Sequence, residues 1–310
     1  MTSDTRPFLI SVPSDQLAAD LAPLPNGVEV IVWAMDTDAP SDRIDIVVPP
    51  YMSKGSLLQR LDGIDVQLVQ GQAIGYEGVA DLLPKGIVFA NGSSVHETST
   101  AELAVGLTLA AQRHIDDFAV NTREGVWMPQ FSQSLADRRV LLIGYGGVGK
   151  ATAARLAPFE IELTVVARTA RDEDGVHVHA IDELDDLLPH AEIVVLTLPG
   201  GDETRGILDA RTLALLPDGA LVVNVGRGSL IDTDALVAET RSGRLRAALD
   251  VVDPEPLPAG HPLWGTPGVL IAPHVGGASS AMRPRIARLL RTQAERMVAG
   301  EEPINVVLRT

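Results

Sequence analysis

The chain contains no cysteine. Disulfides, thiolate zinc sites, iron–sulfur ligation and cysteine nucleophiles are therefore excluded. Lysine is scarce: only Lys54, Lys85 and Lys150 occur, so nearly all positive charge is arginine. That charge is outweighed, with 25 Lys and Arg against 41 Asp and Glu and a net charge of −16 over 310 residues. A uniformly acidic surface repels phosphate backbones and anionic bilayers, so neither nucleic acid nor a membrane is an expected partner. Any anion bound must be gripped locally, by arginine, backbone amides or helix ends. No apolar run reaches about 18 residues, the length that would span a bilayer. The first residues show no basic stretch followed by an apolar run, so no signal peptide is expected. Repeats and low-complexity tracts are missing too. A soluble, cytoplasmic protein is the expectation.

What is present is ordinary for a folded chain, with 45% hydrophobic and 21% charged residues. The length suggests two domains. In the first hundred residues, strand-like runs at 8–12, 28–33, 44–48, 66–69 and 87–90 alternate with helix-like stretches at 14–21 and 54–61. That alternation predicts a parallel sheet covered on both faces. A long helix is expected to begin at Ser99-Thr100-Ala101-Glu102 and to end before Gly125. The stretch 127–137 reads as irregular surface. A second series follows, with strands at 140–143, 163–167, 193–198, 221–225, 247–251 and 269–272, nearly continuously apolar as doubly buried strands should be. Six strands with intervening helices make a full dinucleotide-binding fold. The last helix, about 280–299, carries five arginines beside an apolar stripe and lies beyond that series. Its return to the first domain would make that domain discontinuous.

Gly144-Tyr145-Gly146-Gly147-Val148-Gly149 follows a strand and opens a helix. In that context the glycines allow a tight turn, close approach of a pyrophosphate and close helix packing, and the helix N-terminus attracts the phosphates. A glycine-rich turn without a ligand is the bland alternative. The next strand does not end in the Asp or Glu expected of an NAD site. Arg168, Thr169 and Arg171 stand there instead and suit a 2′-phosphate, so NADP(H) is expected to be preferred, with NAD(H) second. Alternatively, Arg171 belongs to a solvated charge run ending at Asp174. Arg227, between Gly226 and Gly228 past another strand end, has the fork that matches a carboxylate. Asp250 to Glu255 follow the next strand, and His274 the one after. Of the seven histidines only His274 sits at such a strand end; the default for a lone histidine would be a structural role. With Arg227 and Glu255 directed to the same sheet edge, catalysis is the sharper reading.

These motifs resemble the D-isomer-specific 2-hydroxyacid dehydrogenase family. The resemblance runs through the glycine fingerprint, Leu198-Pro199, Glu203-Thr204-Arg205-Gly206, 224–232, 250–258, His261-Pro262-Leu263-Trp264 and Pro273-His274. It continues more loosely at Ile74-Gly75-Tyr76-Glu77, Asn91 and Ala101-Glu102. Arg-Thr-x-Arg resembles the NADPH-preferring glyoxylate/hydroxypyruvate reductases of that family. The resemblance implies an α/β fold with two doubly wound parallel-sheet domains. A Rossmann cofactor domain, 101–280, is inserted into a flavodoxin-like substrate domain, 1–100 and 281–310. It implies a homodimer that interconverts a small 2-oxo acid and the D-2-hydroxy acid by hydride transfer. His274 is then the acid/base, Glu255 its partner and Arg227 the carboxylate anchor, with Ile74 and Gly75 helping to hold substrate. The cofactor would lie along Gly144–Gly149, Arg168, Thr169, Arg171, Leu198, Pro199, Thr204, Val225, Gly226, Asp250, His274 and Gly276. No metal is expected, because Arg and His⁺ supply the electrostatic stabilisation. Gln72-Ala73-Ile74 replaces a more usual small-residue loop and Gly78 a more usual Asn or His, which leaves the substrate's identity open. Relatives acting on formate or phosphite are the alternatives within the fold, though Glu255 and Ile74 stand where those would carry Gln and Lys. A dinucleotide-sensing corepressor of the same fold is the alternative outside catalysis.

Overall fold

The alternation of apolar runs and helical stretches produces two compact units, each built on its own sheet. One unit extends to His96 and resumes over Ser279–Thr310; the other is Glu97–Ala278. The computed structural model describes residues 6–310. The first unit opens with β1 (Phe8–Val12), α1 (Asp15–Asp20), β2 (Val28–Val32), β3 (Arg43–Val47), β4 (Asp65–Gln70) and β5 (Val88–Ala90). The second begins with α2 (Glu97–Arg113), α3 (Ile115–Glu124), β6 (Arg139–Ile143), α4 (Gly147–Leu156) and β7 (Glu162–Ala167). It continues with β8 (Arg171–Glu173), β9 (Val176–Ala180), α5 (Leu184–Leu187), β10 (Ile193–Leu196) and α6 (Ala210–Leu215). It ends with β11 (Leu221–Asn224), α7 (Thr233–Arg241), β12 (Arg246–Leu249) and β13 (Val269–Ile271). The chain then returns to the first unit as α8 (Met282–Val298) and β14 (Val306–Arg309). No helix among the described residues is long and apolar enough to cross a membrane.

The first sheet has the order β2-β1-β3-β4-β5-β14, parallel except for β14. Its five parallel strands follow the flavodoxin-like order. Ser14 starts α1 by accepting a hydrogen bond from the Leu17 N–H at 3.3 Å. The apolar face of α8, through Ile286, Ala287, Leu289, Leu290 and Ala294, completes the core made by Ile10, Val12, Ile46 and Leu68. The expected stretch at 54–61 is a 3₁₀ helix, Gly55–Leu61.

The second sheet runs β8-β9-β7-β6-β10-β11-β12-β13, and only β8 is antiparallel. Its parallel strands have the doubly wound dinucleotide-binding order with one extra strand at the β13 edge. Strict period-two burial explains why these runs are apolar throughout. Leu141, Ile143, Val194, Leu196 and Val222 pack to one side with Leu184, Leu213 and Leu236 of α5, α6 and α7. Val140, Leu142, Ile193, Val195 and Val223 pack to the other with Ala104, Leu107, Ala153 and Leu156 of α2 and α4.

Several expectations need correction. The sheet has eight strands rather than six, because β9 joins it and β8 turns back along β9. The single long helix is two helices: His114 takes a left-handed backbone, φ 55°, between α2 and α3. Gly125 does end the second helix, with its N–H bonded to carbonyls of the last turn. The first helix begins at Glu97, so Ser99 and Thr100 lie buried in its first turn rather than capping it. The two compact units divide at 96/97 and 278/279, within a few residues of the boundaries expected from the sequence. Residues 127–137 form neither helix nor strand, as expected, and fully expose Trp127 and Phe131.

Candidate active site

Parallel strands align their C-terminal ends, and those ends carry the candidate residues of the second unit. Gly144 follows β6, Arg168 follows β7, Leu198 and Pro199 come just after β10, and Val225, Gly226 and Arg227 follow β11. Asp250 follows β12, and His274 lies just beyond β13. Ile74 and Gly75 belong to the first unit.

His274 is built from its backbone outward. Its φ is 52°, a left-handed conformation unfavourable for a side chain with a Cβ by about 1–2 kcal/mol. Asp250 holds that turn in place. The His274 N–H donates to Asp250 O at 2.8 Å, the Val275 N–H to Oδ1 at 2.7 Å and the Gly276 N–H to Oδ2 at 2.9 Å. Burial pushes the Asp250 carboxyl up, against the pull of those two backbone donors.

So placed, His274 Nδ1 meets Glu255 Oε2 at 2.7 Å, while the other carboxylate oxygen accepts from Val252 N–H at 3.0 Å. The Glu255 bond raises the His274 pKa above the usual imidazole value, more than burial lowers it. Burial pushes Glu255 up, but the bonds from His274 and Val252 more than reverse this, and its pKa lies below the usual carboxylate value. Nδ1 is thus committed to the carboxylate, and Nε2 has no hydrogen-bond partner among the described residues. The positive charge of Arg227 acts on both members of the pair.

Arg227 sits on a loop clamped from beneath by buried Asn224. That side chain donates to Arg227 O at 2.8 Å and accepts from the Gly226 N–H at 3.0 Å. The next residue must be glycine: a Cβ at Gly228 would lie 1.8 Å from Val252 O. Arg227, Val252, Glu255 and His274 are therefore linked through one packed set of loops.

The fingerprint turn passes a test for a dinucleotide. A Cβ at Gly149 would lie 2.0 Å from Gly144 O, so this glycine lets α4 start against β6. Gly146, by contrast, faces open space, and α4 begins there without a side-chain cap. Uncapped N–H groups opening on free space are what a pyrophosphate needs. Tyr145 is buried beneath the turn, Val148 packs on the core, and Thr204 Oγ1 ties down its loop by donating to Pro199 O at 2.9 Å. Val225 is buried and Gly226 lies tight against Leu198 O.

The arginines past β7 differ from one another. Arg168 is highly exposed and pairs with Glu203 at 2.7 Å. Arg171 is less exposed, bonding Glu173 at 3.0 Å and Tyr145 O at 3.4 Å. Arg171 is thus no part of a merely solvated run, because the β8 return brings it to the fingerprint turn. Thr169 is exposed between them, and its carbonyl accepts from Arg171 at 3.3 Å.

In the first unit the loop at 72–74 has its carbonyls occupied. His96 Nε2 lies 2.6 Å from Gln72 O, the Gly92 N–H donates to Ala73 O at 2.6 Å, and Asn91 Nδ2 donates to Ile74 O at 2.7 Å. The N–H groups of Ile74 and Gly75 have no hydrogen-bond partner among the described residues. No sequence motif marks His96. Its role is visible only when the fold brings it, stacked on Tyr51, beneath the loop.

Known proteins carry the same organisation. Glyoxylate reductase of Thermofilum pendens is 30% identical over 250 residues, covering 77% of this chain and 74% of that protein. Hydroxypyruvate reductase of Thermotoga maritima is 32% identical over 232 residues, covering 73% and 71%. A D-isomer specific 2-hydroxyacid dehydrogenase of Xanthobacter autotrophicus Py2, solved with NADPH and MES, superposes with a TM-score of 0.82 at 29% identity, covering 98% of each chain. The profile of the D-isomer specific 2-hydroxyacid dehydrogenase NAD-binding domain matches residues 105–276, more than half of the chain. With its second unit carrying that domain, the chain belongs to the D-isomer specific 2-hydroxyacid dehydrogenase family.

Proposed function

We propose that this dehydrogenase reduces a small 2-oxo acid of the glyoxylate or hydroxypyruvate kind to the D-2-hydroxy acid, and catalyses the reverse oxidation. The observation that carries the reading is the His274–Glu255 bond at 2.7 Å, under the field of Arg227 and on the sheet edge that bears the fingerprint. Bound NAD(P)H supplies a hydride for the carbonyl carbon. Arg227 pairs with the substrate carboxylate through two parallel N–H donors. Protonated His274 donates from Nε2 to the oxygen that gains charge, and neutral His274 takes the hydroxyl proton in reverse. Glu255 fixes the ring by accepting from Nδ1 and favours the charged imidazole. The unpaired N–H groups of Ile74 and Gly75 support a share in holding substrate, with Asn91 and His96 positioning that loop.

Gly144, Gly146, Gly147 and Gly149 would hold the pyrophosphate, and Arg168, Thr169 and Arg171 a 2′-phosphate. NADPH is therefore proposed as the preferred cofactor, with 1–96 and 279–310 as the substrate domain. The chain is proposed to work as a homodimer. Its α3 buries no residue of its own and exposes Ile115, Phe118 and Val120, and the following segment exposes Val126, Trp127, Met128 and Phe131. The deciding experiment is a panel of glyoxylate, hydroxypyruvate, pyruvate and bulkier 2-oxo acids with each nicotinamide cofactor. Turnover of the small 2-oxo acids that is lost in His274→Ala supports the reading; cofactor binding without turnover of any 2-oxo acid defeats it.

A further inference from the structure

Three cations stand around the end of β7 and the fingerprint turn, and each has a carboxylate partner. The Arg168–Glu203 pair is open to water on both sides, with side chains 81% and 75% exposed, so it is weak and easily exchanged. The other pairing is a hub. Glu173 Oε1 accepts from Lys150 Nζ at 2.6 Å, and Oε2 accepts from Arg171 Nε at 3.0 Å. Both cations are tied to the fingerprint's own tyrosine. Arg171 Nη2 donates to Tyr145 O at 3.4 Å, and Lys150 Nζ lies 5.7 Å from the centre of the Tyr145 ring. Lys150 is also the residue directly after Gly149, within α4. Lys150, then Arg171, holds the Glu173 carboxyl below its usual range, so it is a carboxylate at neutral pH.

Dinucleotide-binding folds that take NAD place an acidic residue where it accepts from the ribose 2′-hydroxyl. In this chain β7 ends in Ala167 and is followed by Arg168 instead. The antiparallel return of β8 along β9, with Glu173 opposite Val176, brings a carboxylate to the fingerprint turn by another route. We propose that Glu173 sets the choice between NADPH and NADH, by accepting from a 2′-hydroxyl and by competing with a 2′-phosphate for Lys150 and Arg171. The proposal rests on the cofactor reading above. It makes the enzyme less selective for NADPH than its arginines alone would, because a phosphate dianion beside Glu173 meets a like charge and shares both cations with it.

The test is calorimetric titration of NADPH and NADH into wild type, Glu173→Gln, Glu173→Ala and Arg168→Ala, at low and high KCl. Glu173→Gln keeps an acceptor for the cations but drops the charge. It should tighten NADPH by about fivefold, the size of one solvent-screened charge interaction, and weaken NADH. Glu173→Ala should move the ratio of the two dissociation constants the same way. The gain for NADPH should shrink at high KCl, which a purely structural role of Glu173 would not produce. An unchanged ratio, a shift toward NADH, or an equal loss of both cofactors overturns the proposal. Arg168→Ala separates the premises. If it weakens NADPH alone while the Glu173 variants leave the ratio fixed, the NADPH reading stands and the role of Glu173 falls. If wild type prefers NADH and Arg168→Ala changes nothing, the NADPH preference falls, while a shift in the Glu173 variants still assigns that residue.

Discussion

In the proposed mechanism, proton transfer at His274 is governed by two opposed shifts. Its raised pKa means that the imidazolium persists above pH 6.5 or so, the ordinary imidazole value. Reduction, which in that mechanism consumes a proton from His274, should therefore hold its rate to higher pH than an ordinary imidazole would allow and decline as pH rises through that raised value. Oxidation should gain over the same range. In Glu255→Gln the carboxylate's pull is gone while burial still disfavours the charge, so the alkaline limb for reduction should move to lower pH. A pH–rate profile that does not move argues against the pairing. The stability linkage has the matching sign. The raised His274 value stabilises the fold below the unfolded imidazole pKa and loses that effect as pH rises through the folded value. The lowered Glu255 value stabilises above the unfolded carboxyl pKa and fades as pH falls through the folded one. Their bond is thus strongest between the lowered carboxylate value and the raised imidazole value. His274→Ala should lower kcat about 10²–10⁴-fold, the range for a positioned acid/base. His274→Asn is the better-folded control, since Asn tolerates a left-handed backbone. Near-wild-type kcat in either soluble variant would remove His274 from the chemistry. Arg227→Lys should damage both KM and kcat for 2-oxo acids and spare NADPH binding, because an ammonium lacks two parallel donors.

Elements matter here for how they end. Asp250, at the close of β12, accepts from the N–H groups of Val275 and Gly276 with separate oxygens. Asp250→Asn would turn an NH₂ toward one of those donors. The turn at His274 should loosen, with kcat falling and stability dropping by about 1–3 kcal/mol, readable from melts and single-turnover rates. Unchanged kinetics would show that the turn holds itself. The strands themselves were legible because burial on both faces demands unbroken apolar runs, as in Ile193–Leu196. The strand-end residues Arg227, Glu255 and His274 could be read because parallel topology turns a position after a strand into a position on one edge. The break at His114 could not be read, since no glycine or proline marks it. Strand β14 escaped for a similar reason: it is four residues long and takes its register from β5, more than two hundred positions away. The hub at Glu173 depended on a hairpin that brings three-residue β8 back along β9, and no local pattern announced where its side chains would lie.

Taken whole, the described residues expose thirteen large apolar side chains, and seven of them lie in one part of the sequence, α3 and the segment after it. A monomer gains nothing from that exposure, and a self-complementary contact removes it from water. Light scattering on wild type should report a dimer, and the double variant Ile115→Asp, Phe118→Asp should report a monomer with its cofactor affinity retained. A monomeric wild type would refute the assembly. The return of the chain through α8 and β14 has a further consequence, for synthesis. Translation delivers every residue of Glu97–Ala278 before the first unit has its last helix and edge strand. The cofactor unit is therefore free to fold while its neighbour still lacks Ile286, Leu289 and Leu290 from its core. Until Gln293 arrives to bond Gln70 at 2.7 Å, the strand leading to the Ile74–Gly75 loop stays incomplete. The half that would hold substrate is thus the last to mature, so a nascent chain would acquire its dinucleotide site before it could turn anything over.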